Sequence, residues 1–282
     1  MTQTSSPTAN RSAVGRPAAP SSVAIFVMLV GERLRERRLS PVIWGLALGA
    51  MGAMIVLIWP SIEGSVGELM KSYPKELMEA FGISGFNTVM QYLDGELFGL
   101  LVPLAGAVFA VRWVVRPIVG AEDAGQLDTW LAMPLPRRTL AWSTYAAAAI
   151  ALAAVLTIMW AITMITSVLA GAGVSAGVLA QALVNVMPLS MFFAGVALLA
   201  SGAMRGANRA SGAAIGALFA MYLVDIVGKL APDYADLRYA TAFRYYGSVI
   251  ENGLNATHVG GLLAAGLLLA LLGTELFQRR DV

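Results

Sequence analysis

GAEDAGQLDTWLAMPLPRRTL, residues 120–140, is a compact polar island in an apolar chain. It holds three acids, two prolines and two adjacent arginines, and the runs on either side are long enough to cross a bilayer. Working outward from it, six apolar runs appear, at 41–60, 96–115, 141–170, 178–203, 211–227 and 256–277. About 20 residues of helix cover the ~30 Å hydrocarbon core. The third and fourth runs exceed that length and have room to tilt. Composition agrees: 58% of the 282 residues are hydrophobic, 13% are charged, and mean hydropathy is +0.71. The predicted fold is therefore all-α and membrane-integral, with six transmembrane helices.

Charge sets the expected orientation. Fourteen of the nineteen basic residues fall on one side of a six-span arrangement; Lys71, Lys75, Lys229, Arg238 and Arg244 fall on the other. The positive-inside rule places both termini, and the 120–140 loop, in the cytoplasm. Residues 1–21 are rich in Ser, Thr, Pro and Ala, lack an apolar signal core and read as a disordered cytoplasmic tail. Residues 22–38 join an apolar half to a charged half. Val23, Val27, Val30 and Leu34 can share one face, which predicts an amphipathic helix lying in the interface. A cytoplasmic extension of the first span is the alternative. On the outer side, 61–95 contains short helical patterns around 66–72 and 74–81. The second outer loop, 229–255, carries Tyr239, Phe243, Tyr245 and Tyr246, read either as an interfacial aromatic belt or as a broken element capping a pathway.

Several chemistries are excluded by residue type. The chain has no cysteine and a single histidine, His258, so the common zinc sets and HExxH are absent. GxSxG is absent, and Ser190 and Ser201 have no base beside them in sequence. GxxxxGK[ST] is absent too; the glycine-rich GAGVSAG at 171–177 follows no strand and reads as a tight helix-to-helix turn. No catalytic, cofactor or metal site is expected in this chain, and a net charge of +2 gives no reason to expect nucleic acid. Ionisable or amide groups at membrane depth are few. Asp225 with Lys229 one turn later reads as a surface i,i+4 pair, beside Asn185 and Glu275. Glycines four apart (Gly45/Gly49, Gly202/Gly206, Gly212/Gly216) permit close helix contact, within the chain or between subunits.

Within the loop, 125–133 carries good helix formers, with Leu127, Trp130 and Leu131 near one face, and Pro134 and Pro136 stop it. Glu122 and Asp123 suit the N-terminal end of that helix's dipole. The product is a short helix across the membrane surface, fit either for a partner's groove or as an ordinary interfacial turn.

Glu122-x-x-Gly125-x-Leu127-Asp128-x-x-Leu131-x-x-Pro134-x-x-Arg137 resembles the signature of ABC-2 type permeases between their second and third spans. The stretch 243–253 resembles the family's aromatic segment before the last span. The C-terminal Phe277-Gln278-Arg279-Arg280-Asp281 resembles its F-x-R-R-D ending. Gln126 stands where the family has a small hydroxyl residue, and Pro136 where it has Ser or Thr.

The resemblance covers residues 22–282 as an ABC-2 transmembrane domain and implies a multi-pass subunit of a bacterial cell membrane. Such subunits pair as a homodimer or heterodimer, and a separate ATP-binding cassette ATPase holds ATP and Mg and receives the loop as a coupling helix. Glu122, Gly125, Leu127, Asp128, Leu131, Pro134 and Arg137 match the coupling signature. No motif transfers cavity residues; Phe98, Phe109, Phe219 and Tyr222 are the candidates from the second and fifth spans. The implied function is export of a hydrophobic or amphipathic compound (drug, antibiotic or lipid-like). A secondary transporter and a non-transporting membrane interaction or assembly protein are the rival readings.

Overall fold

The computed structural model describes residues 21–70, 88–123 and 136–279. Among them every regular element is helical, and six helices have the length and apolarity to cross a membrane. The tail to residue 20, the 74–81 pattern, the helix expected at 125–133 and the last three residues lie outside the described residues.

Helix α1 (Ser22–Glu36) starts where Ser21 caps it, its hydroxyl accepting from the Ala24 amide at 3.2 Å. It buries Leu29, Val30 and Arg33, while Val23 and Val27 stand exposed. Of the expected Val23/Val27/Val30/Leu34 stripe, Val30 and Leu34 pack against the bundle and Val23 and Val27 do not. In its first half both sides of this helix are apolar, with Val23, Val27 and Met28 exposed; its second half exposes Arg35 and Glu36.

The spanning helices are α2 (Leu39–Met70), α3, α4 (Arg137–Ala170), α5 (Ala176–Ala203), α6 (Ala207–Leu230) and α8 (Ala256–Arg279). Helix α3 is composite: α-helical at Val89–Leu93, π-helical at Asp94–Leu101 and α-helical again at Val102–Asp123. The second span thus begins seven residues before the apolar run at 96 and takes Asp94 into the helix. Between α6 and α8 lie two 3₁₀ turns, Pro232–Ala240 and Ala242–Tyr245, then the single-turn α7 (Val249–Asn252). We call this segment the cap. It sits on the side opposite α1, which is the terminal side.

Helix α5 is the hub, packing on α8, α3, α4 and α6. Its contact with α8 is backbone to backbone. A Cβ on Gly195 would overlap the carbonyl oxygen of Gly266, one on Gly266 would come 2.9 Å from the Phe192 Cα, and one on Gly273 2.5 Å from the Leu198 carbonyl carbon. Lipid chains are as apolar as leucine, so association between spans rests on such close packing rather than on expulsion of water.

The four-residue glycine pairs divide three ways. Gly45 and Gly49 of α2 seat Ile158 and Ile162 of α4, each within 2.7 Å of an added Cβ. Gly212 and Gly216 of α6 meet nothing within 4 Å. Gly202 and Gly206 do not share a helix, because α5 ends at Ala203 and Gly206 turns the chain with φ +91°.

The glycine-rich 171–177 segment is a helix-to-helix turn. Gly171 (φ +62°) closes α4 in the left-handed conformation, and the Ala172 amide returns to the Ser167 carbonyl at 3.0 Å. The Trp160 indole donates to the Ala176 carbonyl at 3.1 Å and ties the turn to the start of α5.

Candidate functional site

Two clusters of polar side chains stand out, one at each end of the bundle. The first is at the root of the 120–140 loop. Arg137 is the first residue of α4, and its guanidinium donates to the Phe277 carbonyl at 3.4 Å while lying 5.9 Å from the Phe277 ring centre. A cation at the last carbonyls of α8 satisfies an acceptor the helix leaves open and offsets the negative end of its dipole. Next to it, Arg138 pairs with Glu275 of α8. The loop therefore re-enters the bundle through two arginines fixed on the end of the last span. Beside this clamp, an apolar-walled groove of about 280 Å³ runs between α1 and α4, lined by Ser22, Val23, Phe26, Arg138, Thr139 and Trp142.

The second cluster holds the cap on the bundle. Asp94, 4% exposed in the π-helical part of α3, accepts a hydrogen bond from the Ser248 hydroxyl. Asn185, buried in α5, donates through its side-chain amide to the Tyr246 carbonyl at 2.6 Å and to the Gly247 carbonyl at 3.3 Å. Gly247 has φ +54°, so the chain turns there in a conformation side chains disfavour. Burial, then the Asp94 carboxylate, pushes the Tyr246 phenol well above its ordinary ionisation range and keeps it neutral. π-Helical turns recur at functional positions, and this one carries a buried carboxylate.

Asp225 completes the cap's attachment and corrects the surface-pair expectation. It is 2% exposed, and each carboxylate oxygen meets a cation at 3.0 Å, one from Lys229 and the other from Arg238 of the cap. Gly228 makes room, since a Cβ there would run into the Arg238 stem. The i,i+4 spacing identified one partner. The second lies across a loop closure that spacing does not reveal.

The aromatics of the cap divide. Phe243 is buried, 6.0 Å from Phe193 and 5.2 Å from Tyr222 between ring centres, whereas Tyr239 is exposed under the Arg244 guanidinium.

Of the coupling-signature residues, Arg137 is described as above. The Glu122 backbone lies in the last turn of α3, which ends at Asp123, and Gly125, Leu127, Asp128, Leu131 and Pro134 lie outside the described residues. Of the four cavity candidates, Phe98 and Phe109 are packed in the core, Phe109 beside Trp44 and Trp113. Phe219 is 47% exposed on α6, and Tyr222 is half-buried against Phe243. Sequence reading passed over Asp94 and Ser248. Asp94 sits two residues before the apolar run, and only the cap's return over α3 encloses it. No group of three or more candidate metal ligands occurs among the described residues.

The described residues thus form a bundle with six span-length helices, two arginines fixed on its last helix and a cap on its far side. Residues 28–278 fit the family described as multidrug efflux system permease Rv1217c, C-terminal domain, and the chain belongs to that family. Among curated proteins, none matches it.

Proposed function

We propose that this chain is the membrane subunit of an ATP-driven ABC-2 type exporter, moving hydrophobic or amphipathic compounds out of the cytoplasm. The observation that carries this reading is the clamp at the loop root. Two separate pieces of the signature resemblance, Arg137 and Phe277, lie 140 residues apart in sequence and meet in space. A loop that receives force from a partner needs a root that does not yield, and the paired arginines on α8 supply one.

In this reading both termini and the 120–140 loop face the cytoplasm. A separate ATP-binding cassette ATPase binds ATP and Mg and seats the loop through Leu127 and Leu131. Two permease subunits, alike or different, enclose the path. The chain performs no chemistry; its residues transmit movement. The groove beside the loop root has apolar walls for the apolar part of such a cargo and Arg138 at its edge.

The test is copurification with an ATPase and cargo-stimulated ATP hydrolysis in the reconstituted complex. Leu127→Asp or Leu131→Asp is expected to abolish both while the bundle stays folded. Undiminished transport driven by a proton gradient, with no ATPase present, would overturn the reading in favour of a secondary transporter.

A further inference from the structure

Where α1 turns into α2, several arginines gather around one described acid, Glu36. Helix α1 carries Arg33 and Arg37 one turn apart, and Arg37 is its C-terminal cap. Helix α3 brings Arg112 and Arg116, also one turn apart, to the same place. Between them lies Trp113, 1% exposed, whose indole donates to the Ser40 hydroxyl at 3.4 Å and whose ring supports the Arg37 guanidinium at 4.6 Å. The acid in reach is Glu36, and it stands 3.8 Å from Arg33. The Arg37 Nη1 is buried and has no acceptor among the described residues. Burial first, then repulsion from Arg116, Arg112 and Arg33, lowers the Arg37 pKa to about 10. Like charges gathered on a desolvated guanidinium cost free energy until an anion completes them.

We propose that Arg37, Arg112 and Arg116, on the Trp113 floor, form a binding site for a phosphate group, that of an anionic lipid headgroup in the adjoining leaflet. Guanidinium forks match phosphate oxygens bidentately, and basic pockets between membrane helices at this depth suit headgroups. Exposed apolar side chains follow within two turns of Arg37, at Leu39, Val42 and Ile43 of α2, and offer acyl chains a surface close to the arginines. A free phosphate ion would use the arginines but leave that apolar surface unused.

The test uses the purified full chain in neutral detergent, with phosphatidylglycerol or phosphatidylcholine of identical acyl chains added, and inorganic phosphate as a third arm. Lipid retention is read by native mass spectrometry and stability by thermal unfolding. Phosphatidylglycerol is expected to be retained and stabilising, with Arg112→Gln/Arg116→Gln weakening retention by about tenfold or more, as loss of two charge-assisted hydrogen bonds implies. Arg35→Gln/Arg38→Gln removes equal charge beside the site and is expected to leave retention unchanged. Arg37→Gln should leave the lipid-free chain at least as stable, through relief of repulsion, yet erase its response to phosphatidylglycerol. A response to inorganic phosphate alone would support the phosphate site and assign it to a soluble anion. Equal retention of the two lipids with no response to phosphate, or equal losses from the two double variants, would overturn the proposal.

Discussion

Helices α5 and α6 follow each other in the chain, have span length and carry several glycines, yet the bundle treats them oppositely. In the most apolar stretch of α5, 72% of residues are buried; in that of α6, 22% are. The glycines account for much of the contrast. Gly195 and Gly202 of α5 face α8 and allow the two backbones to touch, while Gly212 and Gly216 of α6 face open space. Helix α6 is held instead by a narrow stripe, Ala210, Ala214 and Leu218, and at its far end by Asp225. Apolarity states only that a residue avoids water. Lipid and protein both satisfy that requirement, so the choice between them falls to shape and to the few polar groups that need partners.

The comparison is broken most directly at Asp225. Replacing it by alanine leaves Lys229 and Arg238 facing one another without their shared carboxylate. The expected loss is about 3–5 kcal/mol, the scale for removing one member of a buried ion pair. Equilibrium unfolding in mixed detergent micelles would measure it, with protease cleavage appearing first in the cap. Wild-type stability in that variant would mean that the apolar stripe alone secures α6.

Gly273→Leu tests the other helix by forcing a side chain into the α5 backbone. Overpacking of this kind costs about 1–3 kcal/mol or more, and here the obstruction is main chain rather than a mobile side chain. The same measurement should register it, with helix content retained. Asn185→Leu is next. It keeps the volume but removes the donor to the Tyr246 and Gly247 carbonyls, at about 1–3 kcal/mol for acceptors left buried. Hydrogen exchange should rise in 246–253 and stay unchanged around Arg137, since the cap and the loop root are attached independently.

The smallest effect is expected at Gly212→Leu and Gly216→Leu, within about 0.5 kcal/mol for the single subunit, as for other open positions. Light scattering on these variants sharpens the comparison further. Loss of self-association with the subunit's fold intact would show that a second copy covers the open face of α6.

How much of this was legible in the sequence can be followed residue by residue. The apolar runs marked the six spans, because a ~30 Å hydrocarbon slab imposes a length and a composition that any reader can count. The 171–177 turn was equally plain, since glycines between two runs permit the left-handed closure that Gly171 adopts. Arg137 and Phe277 were visible as separate pieces of a signature, but nothing along the chain said that one rests on the other. Asp94 looked like a residue outside the membrane, and Asp225 like half of an exposed pair. Their burial depends on where the cap returns over α3 and α6, a closure between segments more than a hundred residues apart for Asp94 and thirteen for Arg238. The sequence by itself determined the number of spans, the placing of polar loops and the membrane as solvent. All of these follow from local transfer free energy, which sums over neighbouring residues. The tertiary structure alone decided which glycines became helix contacts, which carboxylates became buried and which arginines were left crowded. Those depend on pairwise geometry between distant segments, and no local sum contains it.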